Sequence, residues 1–92
     1  MAEAQTLVFG EKKLTDTNKP QKITEESQIL TGLTVKAKST NAATIRVGPS
    51  TVEGKGYPLA KSESLQFDVI DATRVYVYGT EKDGVNWLGL KP

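Results

Sequence analysis

Apolar residues recur along this chain at every second position far more often than at helical spacing, and two-residue alternation marks a strand with one buried face. Thr34-Val35-Lys36-Ala37-Lys38 sets Val35 and Ala37 against Thr34, Lys36 and Lys38. Thr44-Ile45-Arg46-Val47 repeats the pattern with Ile45 and Val47 inward, and Leu65-Gln66-Phe67-Asp68-Val69 puts Leu65, Phe67 and Val69 on its apolar side. Arg74-Val75-Tyr76-Val77-Tyr78 directs Val75 and Val77 to the core. Val85 to Leu90 reads as the last strand and carries Trp87, while Thr6-Leu7-Val8-Phe9 and Gln21-Lys22-Ile23-Thr24 supply shorter ones near the start. The alternation predicts about seven strands, most of them with one wet face.

Turn-forming residues fall between these segments. Asp16-Thr17-Asn18-Lys19-Pro20 separates the first two strands, Thr40-Asn41 the next pair, and Gly48-Pro49-Ser50 closes the strand that ends at Val47. Asp71-Ala72 is a tight connection, and Lys82-Asp83-Gly84 reads as a hairpin because Asp-Gly tolerates positive φ. Thr51 to Ser64 contains Gly54, Gly56 and Pro58 and reads as an ordered loop around Tyr57 and Leu59. Glu25-Glu26-Ser27-Gln28 resembles one helical turn and is too short to stand alone. The expected fold is therefore all-β: a single domain over residues 1–92, either a small jelly-roll-like β-sandwich or a partly closed barrel. Strand signals are weakest over residues 1–20, which are expected to form a partly extended N-terminal arm.

Size and composition narrow the function. A chain of 92 residues buries only about two-thirds of its unfolded surface, so its core is small. With no cysteine and no histidine, disulfides and the usual zinc ligand sets are missing, which leaves tight packing or association with other subunits. Association is expected. The same absences exclude Ser-His-Asp and Cys-His catalysis, thiol redox chemistry and haem held by those ligands. Twelve Lys+Arg against eleven Asp+Glu give a net charge of +1, spread rather than gathered into the basic patch that phosphate binding needs. No apolar run approaches the roughly 20 residues that span a bilayer. Met1-Ala2-Glu3-Ala4-Gln5 lacks the basic stretch and apolar core of a secretory leader. Asn18, Asn41 and Asn86 are not followed two residues on by Ser or Thr, so glycosylation sequons are missing too.

Candidate chemistry is thin. Asp16, Asn18, Glu25 and Glu26 suggest a calcium loop, but Gln21 and Ser27 stand where that loop needs Gly and Glu. Asp68 and Asp71 form a carboxylate pair at a strand end, where Asp is common for backbone reasons alone. Gly54-Lys55-Gly56 lacks the Lys-Ser/Thr and the strand-to-helix context of a phosphate loop. Ser50, Thr51, Ser62 and Ser64 have no partner base except Lys61. No enzymatic activity, cofactor or metal is expected. The best partner surface is the outward side of one strand, where alternation groups Arg74, Tyr76 and Tyr78, residue types enriched in binding hot spots. Trp87 and Phe67 are expected in the core.

One stretch carries a resemblance. Gly32-Leu33-Thr34-Val35-Lys36-Ala37, Asn41, Ile45-Arg46-Val47-Gly48, Gly56-Tyr57-Pro58-Leu59 and Glu63-Ser64-Leu65, followed by an Asp-containing strand and Val75-Tyr76-Val77, resembles small tailed-bacteriophage virion structural proteins. About half of the chain is covered, mostly at turn and core positions, so the resemblance transfers no functional residue. It implies a β-sandwich, often trimeric, that decorates or cements a capsid. The expected function is thus a non-enzymatic decoration subunit, made in the host cytoplasm and carried on the virion surface, with the major capsid protein and its own copies as partners. Two alternatives stand beside it. One is a head-fibre base or a tail or baseplate module that binds a host-surface glycan. The other is a small single-strand nucleic-acid-binding barrel, with Tyr76 and Tyr78 stacking bases and Arg74, Arg46 and Lys36 tracking phosphate. The neutral charge balance and the interleaved Asp68, Asp71, Glu81 and Asp83 count against the last.

Overall fold

The computed structural model describes residues 6–51 and 56–91. Eight strands follow one another: β1 (Thr6–Lys13), β2 (Gln21–Lys22), β3 (Ile29–Ala37), β4 (Ile45–Gly48), β5 (Tyr57–Leu59), β6 (Ser64–Asp71), β7 (Tyr76–Tyr78) and β8 (Gly84–Lys91). A single 3₁₀ turn, Ala72–Arg74, joins β6 to β7. The strands form two four-stranded sheets, ordered β1-β8-β3-β6 and β2-β7-β4-β5, and all pairings are antiparallel. These are the two open sheets of a sandwich, not a closed barrel.

The order has a simple origin. First pairs with last: β1 with β8, β2 with β7, β3 with β6 and β4 with β5. The pairing is that of one long antiparallel hairpin with β4 and β5 as its innermost strands. Pairing β8 with β3 and β7 with β4 wraps that hairpin into two layers, which is the connectivity of a jelly roll. Each sheet needs an apolar inner face, and alternation supplies it. Leu30, Leu33, Val35, Ala37, Val85 and Trp87 from the first sheet meet Ile45, Val47, Leu59 and Val77 from the second. Leu14 and Ile23, in connections, are buried in the same core.

All seven strands expected from alternation occur, and four details differ. The eighth, β5, lies inside the stretch read as a loop; Pro58 conceals it, since proline is tolerated only in an edge strand such as this. Arg74 ends the 3₁₀ turn instead of opening β7, because the Asp71 carboxylate caps that turn. Val69 points outward, 65% exposed, while Ile70 packs on the core. The cause is a bulge: β3 carries an extra residue against β8 between Thr31 and Thr34, with Gly32 at φ +60°. Beyond it the inward phase of both β3 and its partner β6 slips by one residue, so Leu30 and Ile70 turn inward.

The Lys82-Asp83-Gly84 turn differs too. It joins β7 to β8 across the two sheets and closes no hairpin, and the positive φ belongs to Lys82 at 75°. Gly84 is glycine because a Cβ there would sit 2.3 Å from the Lys12 carbonyl oxygen. Residues 24–28 form no helix. Of the stretch expected as an N-terminal arm, Thr6–Lys13 forms β1, paired along its whole length with β8. Residues 1–5, and Gly54 and Lys55 of the glycine-rich fragment, lie outside the described residues.

A candidate docking face

Directly opposed residues of neighbouring strands share a face, so the register maps the outer surface of the first sheet. One row runs Leu7–Leu90–Thr31–Val69 across all four strands, and the next runs Phe9–Leu88–Thr34–Gln66. Ile29 adjoins the first row. Phe9 is 78% exposed, and Leu7, Ile29, Val69 and Leu88 each expose roughly half or more of their surface. Toward the other end the same face turns polar, with Glu11, Asn86, Lys36 and Ser64 in register. There the Lys38 ammonium donates to the Glu11 carboxylate and lowers its pKa, first by that hydrogen bond and then by its charge. An apolar field with a polar margin is the layout of a protein-binding surface. Exposed apolar residues normally lie singly on a soluble domain, whereas contiguous ones mark a place of contact.

The second sheet presents a different outer face. Lys22, Tyr76 and Gly48 form one row and Tyr78, Arg46 and Pro58 the next. Tyr76 and Tyr78 are half-buried there, beside Lys22 and Arg46. Arg74 is separated from them: it lines a cleft of about 340 Å³ at the sandwich edge with Val47, Leu65, Phe67, Ile70 and Val75. The structure therefore brings two members of the expected Arg74, Tyr76 and Tyr78 group together and moves the third to an edge. Of the cations proposed to track phosphate, Arg46 joins the tyrosines, and Lys36 lies on the opposite sheet.

At the other open side a cleft of about 650 Å³ runs between β1 and residues 23–28. Trp87 forms part of its floor. Its indole lies against Gly10, where a Cβ would come within 2.6 Å of the ring, and its Nε1–H is buried with no hydrogen-bond acceptor.

The acidic residues serve the backbone. Asp71 Oδ1 accepts from the Thr73 N–H at 2.9 Å and the Thr73 hydroxyl at 2.7 Å, and Oδ2 from the Ser27 hydroxyl at 2.8 Å. The Thr73 N–H, followed by those hydroxyls, lowers its pKa to about 2. Oδ1 thus caps the 3₁₀ turn, and Oδ2 ties Ser27 of the β2–β3 connection to it. Asp83, buried, accepts from the N–H groups of Ala42 and Ala43 at 2.8 and 3.0 Å. Asn41 donates from Nδ2 to the Gly84 carbonyl at 3.0 Å and accepts from the Gly84 N–H at 2.8 Å. Its side chain mimics a strand partner, which gives the asparagine of the resembled motif a structural role. Among the described residues no group of three or more acidic, His or Cys side chains could hold a metal.

None of Leu7, Phe9, Ile29, Val69, Leu88 and Leu90 was expected in a partner surface, and Val69 was expected on the apolar side of its strand. A signal exists in β8, where Trp87-Leu88 places apolar residues on consecutive positions and hence on both faces. Comparison with protein-family models, with curated proteins and with solved structures finds no match.

Proposed function

We propose that this protein is a non-enzymatic structural subunit that docks on a larger assembly through the outer face of its first sheet. The carrying observation is the apolar field of exposed Leu7, Phe9, Ile29, Val69 and Leu88 with half-buried Leu90 on one sheet face. A chain that buries so few residues has little reason to leave these in water unless something covers them. The resemblance of the Gly32–Val77 stretch to phage virion proteins supplies the identity of the assembly: a capsid shell, with the subunit as decoration or cement. The jelly-roll connectivity suits that role, since shells and lectins are commonly built from it. The acidic groups support the non-enzymatic part of the reading, because Asp71 and Asp83 are held by backbone and hydroxyl donors.

The test is to purify particles by density gradient from cells in which the gene is expressed and search them for this chain by mass spectrometry. The reading expects it to band with intact particles in stoichiometric amount. Its presence only in the soluble fraction would overturn the capsid assignment.

A further inference from the structure

Among the described residues four strands have a free edge: β1 and β6 in the first sheet, β2 and β5 in the second. An open edge offers unpaired N–H and C=O groups to any other strand, and folded proteins blunt it by shortness, proline or charge. β2 is two residues long, follows Pro20 and contains Lys22. β5 is three residues long with Pro58 at its centre. β6 carries Asp68 and ends on Asp71. β1 differs from all of them: of its eight residues, the first five, Thr6-Leu7-Val8-Phe9-Gly10, hold neither charge nor proline. Glu11, Lys12 and Lys13 crowd its far end.

The register shows which backbone groups are free. Gly84 turns its C=O and N–H toward the β3 side, accepting from the Lys38 N–H and exchanging hydrogen bonds with Asn41. Neighbours along a strand alternate in direction, so Val85, Trp87, Gly89 and Lys91 turn toward β1 and pair with Lys12, Gly10, Val8 and Thr6. The N–H and C=O of Leu7, Phe9, Glu11 and Lys13 are left facing the open edge.

We propose that β1 pairs antiparallel with β1 of a second copy, across a twofold axis at Val8. This register sets Leu7 opposite Phe9 of the partner subunit, and each such pair exchanges both of its backbone hydrogen bonds. Among the described residues the overlap is Thr6–Gly10, and Glu11, Lys12 and Lys13 lie beyond it. A contact of this kind is self-complementary and closes at two subunits. It also joins the two first sheets, so that the rows through Leu7 and Phe9 continue from one copy into the next. The inference rests on the assembly reading and deepens it: two docking faces become one, and avidity strengthens their hold on a shell.

The test uses the purified full chain. Light scattering after size exclusion, from micromolar to millimolar protein, is expected to show two chains per particle. Phe9→Pro deletes an edge N–H that β8 does not use, and it should weaken self-association at least tenfold while circular dichroism stays β-type. Glu11→Pro deletes an edge N–H outside the overlap and should leave the dimer intact. Because the chain has no cysteine, Val8→Cys places a lone thiol on the axis. Non-hydrogen-bonded cross-strand pairs bring Cα atoms to about 4.5 Å, within disulfide reach. Mild oxidation should therefore cross-link Val8→Cys and not Val69→Cys. A single-chain mass throughout, a three-chain mass, or cross-linking of Val69→Cys but not Val8→Cys would each overturn the pairing. A cross-linked dimer from a chain that never bands with particles would leave the pairing standing and defeat the capsid assignment.

Discussion

The outer faces of the two sheets are built by the same rule and end differently. In the second sheet each outward position is polar, aromatic with a hydroxyl, glycine or proline: Lys22, Tyr76, Gly48, Arg46, Tyr78 and Pro58. In the first, Leu7, Phe9, Ile29, Val69, Leu88 and Leu90 are outward too. Alternation requires only that the inner face be apolar, and both sheets meet that requirement. An apolar outer face is therefore additional to the fold, and its explanation lies outside the subunit. The tyrosines of the second sheet, by contrast, are at ease in water, each with a cationic neighbour in register.

The sharpest way to break this contrast is to treat one residue type identically on both sides of the first sheet. Leu33 is fully buried, and Leu33→Ala should cost about 2–5 kcal/mol through lost burial and a cavity. Leu88, on the other side, is 45% exposed, and Leu88→Ala should change the stability of the isolated subunit by less than about 1 kcal/mol. Urea unfolding of both variants measures the difference. Equal losses would mean that the outer leucines belong to a core and not to a docking face.

The polar knot at the β3–β4 connection comes next in size. Asn41→Ala strips the Gly84 N–H and C=O of a buried partner and should destabilise by about 1–3 kcal/mol. Asn41→Asp keeps the acceptor but loses the donor, and should fall between wild type and alanine.

The smallest effect is a pH dependence. Asp71 is held near pKa 2 in the fold, against about 3.9 when unfolded. Its contribution is therefore present above about pH 4 and disappears as pH falls through 4 toward 2, where the unfolded chain takes up the proton first. Asp71→Asn should flatten that part of the stability–pH curve and leave the neutral region nearly parallel to wild type. Urea midpoints across the acid range provide the check.

Much of the fold was legible because each strand repeats the two-residue pattern strongly. What alternation cannot show is where it changes phase. Gly32 in a left-handed conformation looks in sequence like any other strand glycine, yet it reverses the inward phase for Leu30 and, across the ladder, for Val69 and Ile70. β5 was hidden by Pro58 and its flanking glycines, whose turn chemistry outweighs three residues of strand. Arg74 was drawn into β7 by alternation with Val75, while the competing signal, an Asp at position 71 capping a short turn, is local and easily missed. The pairing of β1 with β8 and of β3 with both β6 and β8 is long-range, so the apolar field, which forms only when those strands lie side by side, could not be assembled from any one segment. Consecutive apolar residues at Leu7-Val8-Phe9, Ile29-Leu30, Val69-Ile70 and Trp87-Leu88 were its local traces.

The most direct measurement compares the two faces in place. Wild type, Leu88→Lys and Tyr78→Lys would each be expressed during particle assembly, checked for folding by circular dichroism, and quantified in gradient-purified particles. Leu88→Lys should be folded and absent from the particles, while Tyr78→Lys should be retained at the wild-type level. Retention of Leu88→Lys together with loss of Tyr78→Lys would place the docking surface on the second sheet and contradict the assignment made here.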